Sequence, residues 1–189
     1  GPPPKALLPF AREPLLRSAM RILHSEQAVA DRIDAIAADI VKVYGGDFLM
    51  APVLTGAFIF AADLVRALNR LGADPLVDFV QLSSYGGARA SSGVVKLLKD
   101  FSLPLEGRRV LIVDDVLDTG RSLHFAKNMV LDAGAVDAKI CVLVRKQTGR
   151  SADIEADFVG FEAGADEFIV GFGMDDEGRR RGTPFIGAA

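Results

Sequence analysis

Residues Val110 to Ser122 read VLIVDDVLDTGRS, placing two aspartates behind four apolar residues and a third aspartate just ahead of a Thr-Gly-Arg-Ser turn. Val110, Leu111, Ile112 and Val113 have the pattern of a strand buried on both faces, as in a parallel sheet, with the acidic pair at its carboxyl end. Ligands bind at that end of open α/β sheets. Thr119, Gly120, Arg121 and Ser122 can offer backbone N–H groups, two hydroxyls and the positive end of a following helix to one phosphate. Asp114 and Asp115 can accept hydrogen bonds from vicinal sugar hydroxyls. Carboxylates crowded at one strand end repel unless something binds them, so the spacing points to a ligand.

Two plainer arrangements share these features. Receiver domains begin with an acidic pair that binds magnesium, but here the pair arrives at residue 114 of 189, too late for a domain of ~120 residues. The other is an ordinary strand and polar loop leading into a helix capped by Ser122.

The elements that must position these residues follow from periodicity. After Ser25, apolar residues at Val29, Ile33, Ile36, Ile40 and Val43 recur at helical spacing until Gly45-Gly46. Strands are expected over Phe48 to Leu54, Val77 to Leu82, Val94 to Leu98, from Arg109, and over Lys139 to Val144. Helices are expected over Ala57 to Leu71 and from Ser122 to Ala133, the latter stopped by Gly134. Apolar runs alternating with amphipathic helices predict an α/β fold with a parallel sheet covered on both faces. No internal repeat or linker is visible, so residues 1–189 read as a single domain. The proline-rich first ten residues are set aside, since they cannot start a stable helix.

Composition sets further bounds. With 50% hydrophobic and 25% charged residues over 189 positions, the chain can bury a sizeable core. A net charge of −3 and a pI near 5.4 disfavour a general nucleic-acid surface. Cys141, the single cysteine, lies within the apolar run Ile140 to Val144 and reads as a small buried hydrophobe. The longest apolar run, Phe48 to Ala62, is interrupted by Pro52, Thr55 and Gly56 and is too short to span a membrane. A cytoplasmic protein is expected.

The stretch from Val110 to Ser122 resembles the motif by which phosphoribosyltransferases bind 5-phosphoribosyl-1-pyrophosphate (PRPP). Three other segments, Pro52 to Arg66, Ser83 to Asp100 and Asp157 to Gly173, resemble the 6-oxopurine branch of that family, and the resemblance covers most of residues 25 to 187. It implies the type I phosphoribosyltransferase fold: a central, mainly parallel sheet flanked by helices, with a small hood from the chain ends over the base site. It also implies purine salvage, in which hypoxanthine or guanine is joined to PRPP with release of pyrophosphate. Magnesium (Mg2+) is the implied cofactor, with Asp114, Asp115 and Asp175 at the metal. A homodimer or homotetramer is implied, with no membrane or nucleic-acid partner.

The resemblance also assigns roles. Asp118 is the catalytic residue, hydrogen-bonding the purine N7 proton; Thr119, Gly120, Arg121 and Ser122 hold the 5-phosphate. Leu54, Thr55 and Gly56 form a pyrophosphate loop, although many members carry lysine where this chain has Thr55. Arg181 faces the pyrophosphate. Ser84 and Tyr85 belong to a lid that excludes water from a ribosyl cation-like transition state. Lys146 donates to the purine O6, Phe168 stacks on the base and Ile169 offers backbone groups to its edge. From composition alone, Arg145 and Lys146 read as solvated cations, Ser83 to Gly93 as a hairpin tip, Phe168 as core, and Asp175 to Arg181 as a charged loop. Two other functions on the same scaffold are a PRPP-binding nucleic-acid regulator and a xanthine-preferring transferase. The acidic balance and the retained Asp118, Lys146, Phe168 and Asp175 disfavour the regulator.

Overall fold

The structure, a computed structural model, describes residues 20–84, 94–148 and 154–189. A first strand β1 (Arg21–His24) leads into helix α1 (Glu26–Tyr44), whose N-cap Ser25 accepts from the Ala28 N–H. Then come β2 (Leu49–Leu54), α2 (Phe58–Arg70), β3 (Leu76–Val77), β4 (Val80–Ser84) and β5 (Val95–Lys99). The second half contains β6 (Arg109–Leu117), α3 (Arg121–Asp132), β7 (Asp137–Lys146), β8 (Phe158–Ala163), β9 (Ile169–Val170) and β10 (Ile186–Ala188).

The main sheet has the order β5-β4-β2-β6-β7-β8, with β3 also pairing β2. Every pairing in it is parallel except β4 with β5. The expected mainly parallel sheet is therefore found, with β2 and β6 at its centre. Val110 to Val113 of β6 are fully buried, because α1 and α2 supply the core on one face and α3 on the other. Cys141 is buried in the same layer, and burial pushes its thiol up. A second sheet, β1-β10-β9, is antiparallel and joins the two ends of the described chain, matching the expected hood.

Several boundaries depart from expectation. β6 does not stop at Asp114 but pairs with β7 through Leu117, which places the acidic pair among the last four residues of the strand rather than after it. Val77 to Leu82 is not one strand. It breaks at Asp78, a buried carboxylate that accepts from the Phe79, Ser102 and Leu103 N–H groups. Burial alone would raise the Asp78 pKa, but these donors and Lys99 hold it below the ordinary carboxylate value. Helix α3 begins one residue early, with Gly120 rather than Ser122 at its cap in a left-handed conformation (φ 74°). β8, β9, β10 and β1 were not anticipated, being short or interrupted by glycine. Gly160 in β8 shows why: a Cβ there would lie 2.3 Å from the Leu143 carbonyl oxygen of β7.

No helix among the described residues is long and apolar enough to cross a membrane.

Candidate active site

The carboxyl ends of β2 and β6, the start of α3 and the turn before β10 enclose a cavity of about 370 Å³. Its walls include Leu54 and Gly56 from β2 and its exit, Asp114 and Asp115 from β6, and Asp118 to Ser122 from the next loop. Asp175 and Arg181 close it from the C-terminal side. Eleven of the site residues expected from sequence thus meet at one place. Val53, Leu82, Val116 and Leu123 complete its apolar lining and were not anticipated; three lie on strands flanking the acidic groups.

One end of the cavity is shaped by the cap geometry of α3. Gly120 makes no side-chain cap, and the first turn of α3 carries no acidic residue to compete for its N–H groups. A helix start in that condition attracts an anion, with Thr119 and Ser122 hydroxyls and the Arg121 charge alongside.

The acidic end is set by burial. Asp114 is 8% exposed, and its Oδ1 accepts from the Asp115 N–H at 2.9 Å, while Asp115 accepts from the Val116 N–H at 2.8 Å. Burial, and then the neighbouring Asp115 charge, push the Asp114 carboxyl well above its ordinary value. Burial also raises Asp115, against the lowering charge of Arg181. Both groups favour the folded state most when protonated. As pH rises from the ordinary carboxylate value through the raised one, that contribution is lost, and it stays lost at neutral pH.

Replacing Asp114 by asparagine is therefore expected to stabilise the free protein at pH 7 to 8. The amide keeps the acceptor for the Asp115 N–H and adds a donor to the Asp115 carboxylate. The thermal midpoint should rise by about 2 °C or more, at ~2–4 °C per kcal/mol for a chain of this size. The gain should shrink as the pH falls through the raised titration. Thermal melts across pH check this; a variant less stable than wild type at neutral pH would contradict the strained-pair description.

Gly56 is fixed by contact. A Cβ on it would lie 2.0 Å from Asp115 Oδ2, so the carboxylate rests where a side chain would begin. The Gly56 carbonyl oxygen in turn lies 2.2 Å from where Gly173 would carry a Cβ. The pyrophosphate-loop candidate is thereby clamped between β6 and the turns that link β9 to β10. From those turns Arg181 donates to the Gly173 carbonyl at 2.7 Å and pairs with Asp175 at 2.9 Å. Asp175 also accepts from the Gly178 N–H. Thr55 is exposed and is not among the residues lining the cavity.

A second cavity of about 210 Å³ adjoins the first and shares Asp118 with it. Lys146, at the end of β7, is 15% exposed and brings its Nζ to 3.6 Å from Asp118 Oδ2. Arg145 lines the same cavity, where its Nε donates to Glu162 at 3.0 and 3.2 Å and its guanidinium lies 3.7 Å from Glu155. The two cations that composition left equivalent are separated by their partners, Glu162 for Arg145 and Asp118 for Lys146. The Thr148 hydroxyl donates to the Asp118 carbonyl at 3.1 Å, a contact missed in the sequence. Position 148 could have been found from the same period-two step that leads from Lys146.

Phe168 and Ile169 line neither cavity. Phe168 is 49% exposed rather than core, with its backbone held by the Ala189 N–H, and Ile169 is buried in β9 opposite Ala188. Exposure of a large ring at that place contradicts the compositional expectation. The Ser84 backbone ends β4 opposite Val95, and Tyr85 lies outside the described residues.

A carboxylate-rich cavity suits a hard divalent cation. Among the described residues no three acidic, histidine or cysteine side chains are grouped to hold a metal alone. The donors fit an ion that takes one or two carboxylates and completes its shell from a bound phosphate and sugar, as magnesium does.

Known proteins resemble this chain in sequence and in fold. Residues 20–177 match the phosphoribosyl transferase domain model. The hypoxanthine-guanine phosphoribosyltransferase of Bacillus subtilis (strain 168) is 39% identical over 168 residues, covering 88% of this chain and 91% of that protein. Its counterpart from Aquifex aeolicus (strain VF5) is 40% identical over 82% of this chain and 86% of its own length. Among solved structures, a Bacillus anthracis hypoxanthine-guanine phosphoribosyltransferase with HEPES in its active site superposes with a TM-score of 0.81 at 37% identity, covering 89% of this chain and 97% of that one. A Trypanosoma cruzi hypoxanthine phosphoribosyl transferase gives 0.82 at 32% identity, covering 89% of this chain and 90% of that one. With a family model matched over residues 20–177 and relatives near 40% identical across more than four fifths of the chain, this protein belongs to the phosphoribosyltransferase family.

Proposed function

We propose that the chain transfers the 5-phosphoribosyl group of PRPP to N9 of hypoxanthine or guanine, giving IMP or GMP and pyrophosphate in purine salvage. The observation that carries this reading is the position of Asp118, which lines the acidic cavity and also faces Lys146 in the adjoining one. A phosphoribosyl group in the first cavity and a base in the second would meet beside it.

In this reading the turn from Thr119 to Ser122 holds the 5-phosphate, and Asp114 and Asp115 accept from the ribose hydroxyls, fixing C1 toward the base. Leu54, Thr55 and Gly56 offer backbone amides to the pyrophosphate, with Arg181 beside it. Asp118 takes the hydrogen bond from the purine N7 proton and so increases electron density at N9. Phe168 stacks on the ring, which positions it more than it discriminates, and Ile169 offers backbone groups to its edge. Ser84 and Tyr85 belong to the segment that shields the reaction from water. Asp175, with Asp114 and Asp115, would hold Mg2+, which when bound neutralises the pyrophosphate as it leaves. Cytoplasmic operation fits this substrate set. A nucleic-acid regulator is not favoured, since the relatives are enzymes by name and the site residues gather at one cavity.

Lys146 donates to the purine O6 here, an acceptor that adenine replaces with an amine. Its burial makes that donor costly to leave unpaired, an effect of ~1–3 kcal/mol in discrimination. Lys146→Ala should bring the kcat/KM values for hypoxanthine and adenine closer together, while PRPP binding changes little. Arg145→Ala, which removes a cation already matched by Glu162, should leave the ratio alone. Steady-state kinetics with both bases decides the matter. A ratio that moves with Arg145 and not with Lys146 would refute the assignment.

A further inference from the structure

Asp118 lies on the loop between β6 and α3 with its side chain half exposed, so nothing in its burial fixes it. Two side chains reach it from the end of β7. The Lys146 ammonium is 3.6 Å from its carboxylate, and the Thr148 hydroxyl donates to its backbone carbonyl at 3.1 Å. Residues two apart on an extended chain face the same side. The Gln147 N–H donates to the Ala163 carbonyl at 3.0 Å, which carries the pairing of β7 with β8 one residue past Lys146. The chain is therefore still registered against β8 when it reaches Thr148, and the hydroxyl is presented from a fixed support.

We propose that Thr148 is a positioning residue for Asp118, tying the loop backbone to the end of β7 so that the Asp118 carboxylate stays between the acidic cavity and Lys146. The proposal rests on the reading of Asp118 as the group that meets the purine N7 proton. Such a group works only within hydrogen-bond reach of its proton, so drift of the loop lowers the rate without loosening the phosphate turn or the acidic pair.

The test is the single-turnover rate with hypoxanthine and magnesium–PRPP, alongside calorimetric PRPP binding, for Thr148→Val and Thr148→Ser in wild-type and Asp118→Asn backgrounds. Thr148→Val keeps the branched shape and removes the donor; it should slow the chemical step about fivefold, the size of one neutral hydrogen bond. Thr148→Ser should restore most of the rate. PRPP binding should be unchanged in both, which also shows that the variants fold. In the Asp118→Asn background, Thr148→Val should cause no further loss. A wild-type rate in Thr148→Val overturns the proposal, as do equal losses in the valine and serine variants, or an equal loss with and without Asp118. A wild-type rate in Asp118→Asn alone removes the reading on which the proposal stands, and the proposal with it.

Discussion

Asp118→Asn is expected to lower nucleotide formation from hypoxanthine by about 10²–10⁴-fold, the usual contribution of a positioned proton acceptor, while PRPP still binds. The amide keeps the size of the side chain and can still accept, but it carries no negative charge to draw the N7 proton. It also loses the charge attraction to Lys146, 3.6 Å away. The acidic pair and the turn from Thr119 to Ser122 keep all their side chains and backbone groups. Single-turnover kinetics would show the loss and calorimetry the retained PRPP affinity. A wild-type rate across neutral pH would show that Asp118 has no part in proton handling, and equal loss of rate and affinity would place it in PRPP binding instead.

On the proposed roles of Asp115 toward the ribose and of Leu54 to Gly56 toward the pyrophosphate, Gly56→Ala is expected to weaken PRPP binding by about 10-fold or more, since both would be displaced. The added methyl lies 2.0 Å from Asp115 Oδ2, well inside contact distance. Either the loop moves, which also disturbs the Gly56 carbonyl packed on Gly173, or Asp115 rotates away from the cavity. Both responses spoil the site, and the second costs the fold little because only the end of a side chain yields. The variant should therefore melt within a few degrees of wild type, overpacking being worth ~1–3 kcal/mol, and yet fail to bind PRPP. Normal PRPP affinity by calorimetry would mean that Asp115 is not a ribose ligand or that the loop is softer than its packing indicates.

The parts of the fold that could be read from sequence are those whose signal is local. β6 and β7 each contain an unbroken apolar run, Val110 to Val113 and Ile140 to Val144, and α1 has an apolar stripe between a serine cap and a glycine stop. The break between β3 and β4 could not be read, because the groups that hold Asp78 lie 24 and 25 residues away, at Ser102 and Leu103. Nor could β9 and β10, whose two and three residues are too few to show a period. At the site, the residues from Asp114 to Ser122 were legible because strand, acids, turn and helix start are contiguous. Leu54, Gly56, Asp175 and Arg181 entered only through resemblance, since nothing local marks a glycine whose missing Cβ makes room for an aspartate on another strand. Composition placed Phe168 in the core; it is half exposed because β9 turns its neighbours Ile169 and Val170 inward instead. Arg145 and Lys146 could not be told apart by type, and are distinguished by their partners, Glu162 and Asp118, which lie far from them in sequence.

The central claim is that this chain makes purine nucleotides from PRPP and a 6-oxopurine with Mg2+. Its most direct test is nucleotide formation by the purified protein with PRPP and each of hypoxanthine, guanine, xanthine and adenine, with magnesium and with excess EDTA. IMP or GMP appearing with equimolar pyrophosphate, little product from adenine, and none from any base under chelation is the result expected. Product from no base, adenine used as well as hypoxanthine, xanthine used in preference to both other 6-oxopurines, or full turnover in EDTA with residual metal excluded by elemental analysis would contradict it.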